Sequence, residues 1–149
     1  MYDELGSRAR EELQGFLQQY PWDAFITATF ARPANYPRLA IDRVGRALDN
    51  SLRAFVAAEP HRLGNWHAHG LVKFTSPRFT SNVQVSTIDY QMARAQARLA
   101  RCGWSRVQPV REIGGVSGYL SKYVNKRSGD WELLGNWRRQ GTIIGLDSK

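Results

Sequence analysis

The stretch 54–74 constrains this chain more than any other. Residues 66–74, WHAHGLVKF, read as a strand, and residues 54–59, AFVAAE, as a second. Residues 60–65 between them, PHRLGN, carry the Pro, Gly and Asn of a turn. Two strands joined so closely pair antiparallel, because a parallel connection needs a crossover of about a dozen residues or more. Residues 23–30, DAFITATF, set Phe25, Thr27 and Thr29 against Ile26, Ala28 and Phe30, and so form another strand. Further strands are expected at 104–110 and 141–146.

Helical periodicity fills the intervals. Residues 6–19 place Leu13, Phe16 and Leu17 on one side, and Pro21 closes the helix. Residues 39–53 place Leu39, Val44, Leu48 and Leu52 inward. A third helix is expected at 88–101, capped by Thr87 and ended by Gly103, and a fourth at 116–126 after Gly114-Gly115. Loops are expected after residue 30 and over 76–85. Strands alternate with helices, but the long apolar runs of a doubly wound parallel sheet are missing. The prediction is an α+β fold: a single domain over 1–149, with a central antiparallel sheet of about five strands and flanking helices packed against one face.

Charge and cysteine content narrow the function. The formal net charge is +8. Basic residues gather at 94–111 and 122–139, and the acids lie mainly in the first 60 residues, which suggests a polyanionic partner such as nucleic acid. Cys102 is the only cysteine, so disulfide frameworks and cysteine-rich zinc sites are excluded and a reducing cytoplasm fits. No apolar run approaches the ~20 residues of a membrane span. The opening MYDELGSRAREELQGF has acids and no apolar core, so no signal peptide is expected.

Two groups of residues carry chemistry. On a strand, side chains alternate, so His67 and His69 face the same way and make a natural pair of metal ligands. Glu59 ends the preceding run, and a hairpin returns it to the imidazoles. Two His and one carboxylate leave coordination positions open, and mixed oxygen and nitrogen donors suit Mn²⁺ or Mg²⁺ better than structural zinc. His61 is a rival third ligand, placed lower because it lies in the turn and a phosphodiester site gains from a hard oxygen donor. The second group is GYLSKYVNK at 118–126. With Tyr119 at zero and about 100° per residue, Lys122 falls near 300°, Tyr123 near 40° and Lys126 near 340°, one phenol- and lysine-rich stripe. A nearby Lys⁺ favours the phenolate of a tyrosine and neutralises phosphate charge.

The strand FITATF, the HAH strand and the helix YLSKYVNK occur in that order, and together they resemble the HUH endonucleases. The likeness is to rolling-circle replication initiators (Rep proteins), in particular the phage-type initiators with two tyrosines, and it spans residues 23–127. The resemblance implies an RRM-like HUH nuclease domain and a site-specific endonuclease that nicks single-stranded DNA at a replication origin. His67 and His69 would hold Mn²⁺ or Mg²⁺, with Glu59 as the acidic ligand. Tyr123 or Tyr119 would attack the phosphate, giving a 5′-phosphotyrosine and a free 3′-OH, and the second tyrosine could cut again so that strands are rejoined. Lys122 and Lys126 would bind phosphate. The setting would be a prokaryotic cytoplasm or a virus-infected host cell. No GxxxxGK[ST] motif is present, so unwinding would fall to a separate helicase.

Some residues carry less weight. Arg94, Arg98 and Arg101 follow one helix side and could track a DNA backbone, or simply be solvated. Trp66 or Trp104 could stack a base, with core packing as the competing role. Thr27 and Thr29 could line the site or serve only strand propensity. Other readings keep the same residues: a two-tyrosine transposase or relaxase, a hydrolase using water, or a non-catalytic module that binds single-stranded DNA.

Overall fold

A computed structural model describes residues 4–48, 52–74, 87–110 and 130–135. In chain order the elements are α1 (Glu4–Gln19), β1 (Ala24–Ala28), α2 (Pro37–Ala47), β2 (Arg53–Pro60), β3 (Trp66–Lys73), α3 (Thr87–Ala100), β4 (Ser105–Pro109) and β5 (Trp131–Leu134). The strands form one sheet in the order β4-β1-β3-β2-β5, and every neighbouring pair is antiparallel. The fold is therefore α+β, as the sequence predicts. From β1 to β4 the elements run β-α-β-β-α-β, with β3 inserted between β1 and β2 and β1 between β3 and β4. These are two interleaved split βαβ units, the ferredoxin-like arrangement. The strands α2 connects, β1 and β2, run parallel to each other, as do β3 and β4, which α3 connects, so each connection needs a crossover helix.

The alternation of each strand decides what covers its two sides. Ala24, Ile26 and Ala28 of β1, Ala54, Val56 and Ala58 of β2, and Ala68 and Val72 of β3 share one side. They pack against Ala40, Ile41 and Val44 of α2 and Ala95 and Leu99 of α3 in one buried cluster. The residues between them point the other way. There Phe55, Ala57 and Leu71 meet Leu13 and Leu17 of α1 in a second cluster. The expected one-sided packing thus holds for α2 and α3, while α1 takes the opposite face. Leu17, just before Pro21, fixes this end of α1, because buried Trp22 donates its indole N–H to the Leu17 carbonyl at 3.0 Å.

The end of α2 and the last strand depart most from expectation. α2 stops at Ala47, and Leu48 is already extended at φ −83°, ψ 146°. Leu48 and Leu52 are nonetheless buried, so the helical spacing that suggested a helix to residue 53 arises from core contacts made by two different elements. β5 is a strand that periodicity did not reveal. It pairs with β2 from Ala54↔Leu134 to Ala57↔Trp131, and Arg38 of α2 holds it by an ion pair to Glu132 at 2.7 Å. At the other edge, Gln96 of α3 donates to Ser105 and accepts the Val107 N–H at 2.9 Å, so a helix side chain covers β4. Managing an exposed edge in this way limits pairing with other chains. The expected elements at 76–85, 116–126 and 141–146 lie outside the described residues.

Candidate metal centre

The hairpin of β2 and β3 builds the site by register alone. Glu59 pairs with His67, and Ala57 pairs with His69. Directly opposed residues share a face, and residues two apart on a strand share it too. Glu59, His67 and His69 therefore emerge together, on the α1 side of the sheet. The side chains complete the convergence. Glu59 Oε2 lies 2.6 Å from His67 Nε2 and 2.7 Å from His69 Nε2. One ligand atom from each of the three lies within 4.8 Å of the other two. Among the described residues this trio forms a group able to hold a metal ion, and His61 is not part of it. The His61 ring is exposed and stands 5.8 Å from that of His67, edge to face.

Burial grades the three donors. His69 is buried, while the His67 and Glu59 side chains keep 17% and 22% of their exposure. Burial pushes the His69 imidazole below its ordinary pKa, against the Glu59 carboxylate, which pulls the other way. A neutral imidazole with a free nitrogen lone pair is the form that binds a metal.

The rest of the His69 environment holds its ring. Phe25 stacks on it, with centroids 5.8 Å apart and planes 9° from parallel. Thr27, paired with His69 across β1 and β3, places its hydroxyl 3.3 Å from Nδ1. When Nε2 coordinates a cation, the ring proton sits on Nδ1, and such a partner fixes tautomer and orientation. His67 Nδ1 is buried without a hydrogen-bond partner among the described residues, so His67 is the less firmly aimed of the two ligands. Gly70, next to His69, sits where a Cβ would stand 2.7 Å from the Phe55 carbonyl oxygen. Glycine there lets β2 approach β3 at the level of the ligands.

The donor set fits a divalent cation. It offers one hard, anionic oxygen and two borderline nitrogens, and it leaves coordination positions for water and a phosphate oxygen. Thr27 is the supporting residue that sequence marked only as one of two equal readings. Its companion Thr29 instead donates to the Trp104 carbonyl at 3.0 Å and takes no part in the site.

The other candidates fall elsewhere. Trp66 packs against the α2–α3 side of the sheet, on the face opposite the trio. Trp104 is 61% exposed, so core packing does not describe it. Arg94 is exposed on α3, whereas Arg98 and Arg101 line a groove on the α2–α3 side. Tyr119, Lys122, Tyr123 and Lys126 lie outside the described residues. No helix among the described residues is long and apolar enough to cross a membrane. No protein-family model matches this chain, and neither does any curated protein or solved structure compared with it.

Proposed function

We propose that this protein is a metal-dependent endonuclease that cleaves single-stranded DNA by tyrosine attack, in the manner of HUH rolling-circle initiators. The observation that carries the reading is the meeting of Glu59 Oε2, His67 Nε2 and His69 Nε2 at one point, near the turn that joins two inner strands of an antiparallel sheet. The sequence order of FITATF, HAH and YLSKYVNK supports it independently.

Glu59, His67 and His69 would hold Mn²⁺ or Mg²⁺. When bound, the ion supplies Lewis-acid polarisation of a phosphate oxygen. The protein groups do the rest. Thr27 and Phe25 keep the His69 ring in one orientation. The phenol oxygen of Tyr119 or Tyr123 gives up its proton and attacks phosphorus, and the bond from phosphorus to the 3′ oxygen breaks. The 3′ oxygen takes up a proton and leaves as the free hydroxyl that can prime synthesis, while the 5′ phosphate stays on tyrosine. Lys122 and Lys126 neutralise phosphate and favour phenolate. The second tyrosine can repeat the attack, and reversal by a 3′-OH joins strands. A replication origin is the proposed substrate, with a separate helicase to unwind it.

The test is a denaturing gel of the protein with a pool of labelled single-stranded oligonucleotides and Mn²⁺. An EDTA-sensitive covalent adduct is expected, lost in the Tyr119→Phe/Tyr123→Phe double variant and in His69→Ala. Cleavage without an adduct would replace tyrosine by water as the nucleophile. Normal cleavage by His69→Ala would remove the metal assignment.

A further inference from the structure

The side of the sheet turned away from the metal trio has its own chemistry. There α2, the end of α3 and the segment after β1 enclose an open groove of about 830 Å³. Five arginines line it: Arg32, Arg43, Arg46, Arg98 and Arg101. No carboxylate lines it among the described residues. Nor does any ion pair engage Arg32, Arg43, Arg46 or Arg101 among those residues. α2 sorts its cations. Arg38 is paired with Asp42 and Glu132 on the neighbouring flank, Arg43 faces the groove, and Arg46 borders both the groove and that flank. Arg43 is held in place, donating to the Arg32 carbonyl and lying 5.3 Å over the Phe30 ring.

Crowding guanidiniums with no counter-charge costs stability by self-repulsion, and an anion of matching length relieves it. Guanidinium forks are well shaped for phosphate oxygens. Five of them, contributed by three segments of chain, exceed what a single phosphate can engage. They suit a run of phosphates. The groove also lies at the same end of the sheet as the metal trio. Ala31 of its wall donates to the Cys102 carbonyl at 2.9 Å, and Thr29 donates its N–H to that of Trp104 at 2.8 Å. Thr27, which touches His69, is four residues before Ala31 of the groove wall. Exposed Trp104 stands two residues beyond Cys102 of the groove wall and offers a stacking surface for a base.

We infer that this arginine groove binds the sugar-phosphate backbone of single-stranded DNA remote from the cut phosphate, on the face opposite the metal ligands. The inference rests on the reading of the protein as a nuclease of single-stranded DNA. The strand would pass around the end of the sheet, held on one side by arginines and cut on the other. Holding a long stretch of backbone supplies affinity without demanding sequence, which leaves sequence selection to the neighbourhood of the cut.

The experiment is fluorescence anisotropy of labelled oligothymidylate with the full chain, in EDTA, over a range of salt concentrations. Wild type is compared with Arg46→Gln/Arg101→Gln, both exposed and hence tolerant positions, and with Arg43→Gln/Arg98→Gln as a second pair. Mn²⁺ titration of each variant is the control for folding and for the metal site. The Arg46/Arg101 pair should weaken binding about tenfold or more and reduce the log Kd–log salt slope by about 1.4, since each phosphate contact on a single strand contributes about 0.7. Its Mn²⁺ isotherm should match wild type. Unchanged affinity and slope in both pairs would overturn the groove while leaving the nuclease reading intact. Tripolyphosphate binding that depends on these arginines, with oligonucleotide binding unaltered, would assign the groove to a small anion and overturn the inference. Wild type that binds no oligonucleotide at any salt would overturn both. Loss of slope in the variants, with no Mn²⁺-dependent cleavage by wild type, would sustain the groove and refute the nuclease.

Discussion

Replacing Gly70 by alanine adds one methyl group at the most crowded point of the central strand. The new Cβ would meet the Phe55 carbonyl oxygen at 2.7 Å and Ile26 Cγ1 at 3.2 Å. The Ile26 side chain has some freedom to turn. The carbonyl belongs to the backbone of β2, fixed by its ladder to β3, and it must recede by a few tenths of an ångström. Overpacking of this kind typically costs about 1–3 kcal/mol. In a domain near 150 residues each kcal/mol moves the melting temperature by about 2–4 °C, so Gly70→Ala should lower it by about 2–12 °C. Backbone entropy alone predicts the opposite sign, because alanine in a regular element is favoured over glycine by roughly 0.5–1 kcal/mol. Circular-dichroism melting of the two proteins separates these outcomes. Because β2 carries Glu59 and β3 carries His69, forcing the strands apart should also weaken Mn²⁺ binding, measured by titration calorimetry, about tenfold or more, as for other losses of ligand support. A variant that melts at or above wild type, with Mn²⁺ affinity intact, would refute the claim that the hairpin's close spacing sets the ligand geometry.

Thr27→Val keeps shape and burial but deletes the hydroxyl 3.3 Å from His69 Nδ1; Mn²⁺ affinity should fall by about 10–100-fold with little change in melting, and an unaltered isotherm would remove Thr27 from the site. His69 titrates below its ordinary pKa of about 6.5 in the folded protein, so below that pH the unfolded chain binds the extra proton. The stability from keeping His69 neutral is therefore complete above about pH 6.5 and drains away as pH falls through the folded value. Urea unfolding in EDTA should show wild type losing more stability across this window than His69→Gln, and parallel losses would show that burial does not govern this imidazole.

The ligand trio was legible because a tight hairpin makes register a local matter. Once residues 60–65 are a turn, Glu59 must lie near His67, and alternation brings His69 to the same side. Thr27 was harder, since its role depends on β1 pairing with β3 across more than forty residues, and nothing local specifies that pairing. Periodicity misled where one element hands over to the next. Leu48 and Leu52 continue the spacing of α2, yet Leu48 is already extended and β2 begins at Arg53, so the apolar pattern runs on past the end of the helix. β5 escaped because WELL is short and does not alternate; its strand character comes from the β2 edge it pairs with. Trp104 shows that an aromatic at the start of a strand says little about burial when the strand is at an edge. The arginine groove was half visible. The spacing of Arg98 and Arg101 on one helix side was readable, but their partners Arg32, Arg43 and Arg46 come from a distant part of the sequence and meet them only in the fold.

All three candidate metal ligands lie within residues 59–69, on the two strands of a single hairpin. This has a consequence for how the protein is made. Loop-closure entropy is small for so short a segment, and hairpins of this kind form on a microsecond scale, well before pairings such as β1 with β4 that join distant parts of the chain. The donors therefore come together early, in a chain whose sheet is still incomplete. A cation captured at that stage would hold the turn closed while β1 and β5 add to its two sides, so the ion would act as a template for assembly as well as in the proposed cleavage. Cells starved of the metal would then be expected to yield slower-folding protein, and not merely inactive protein.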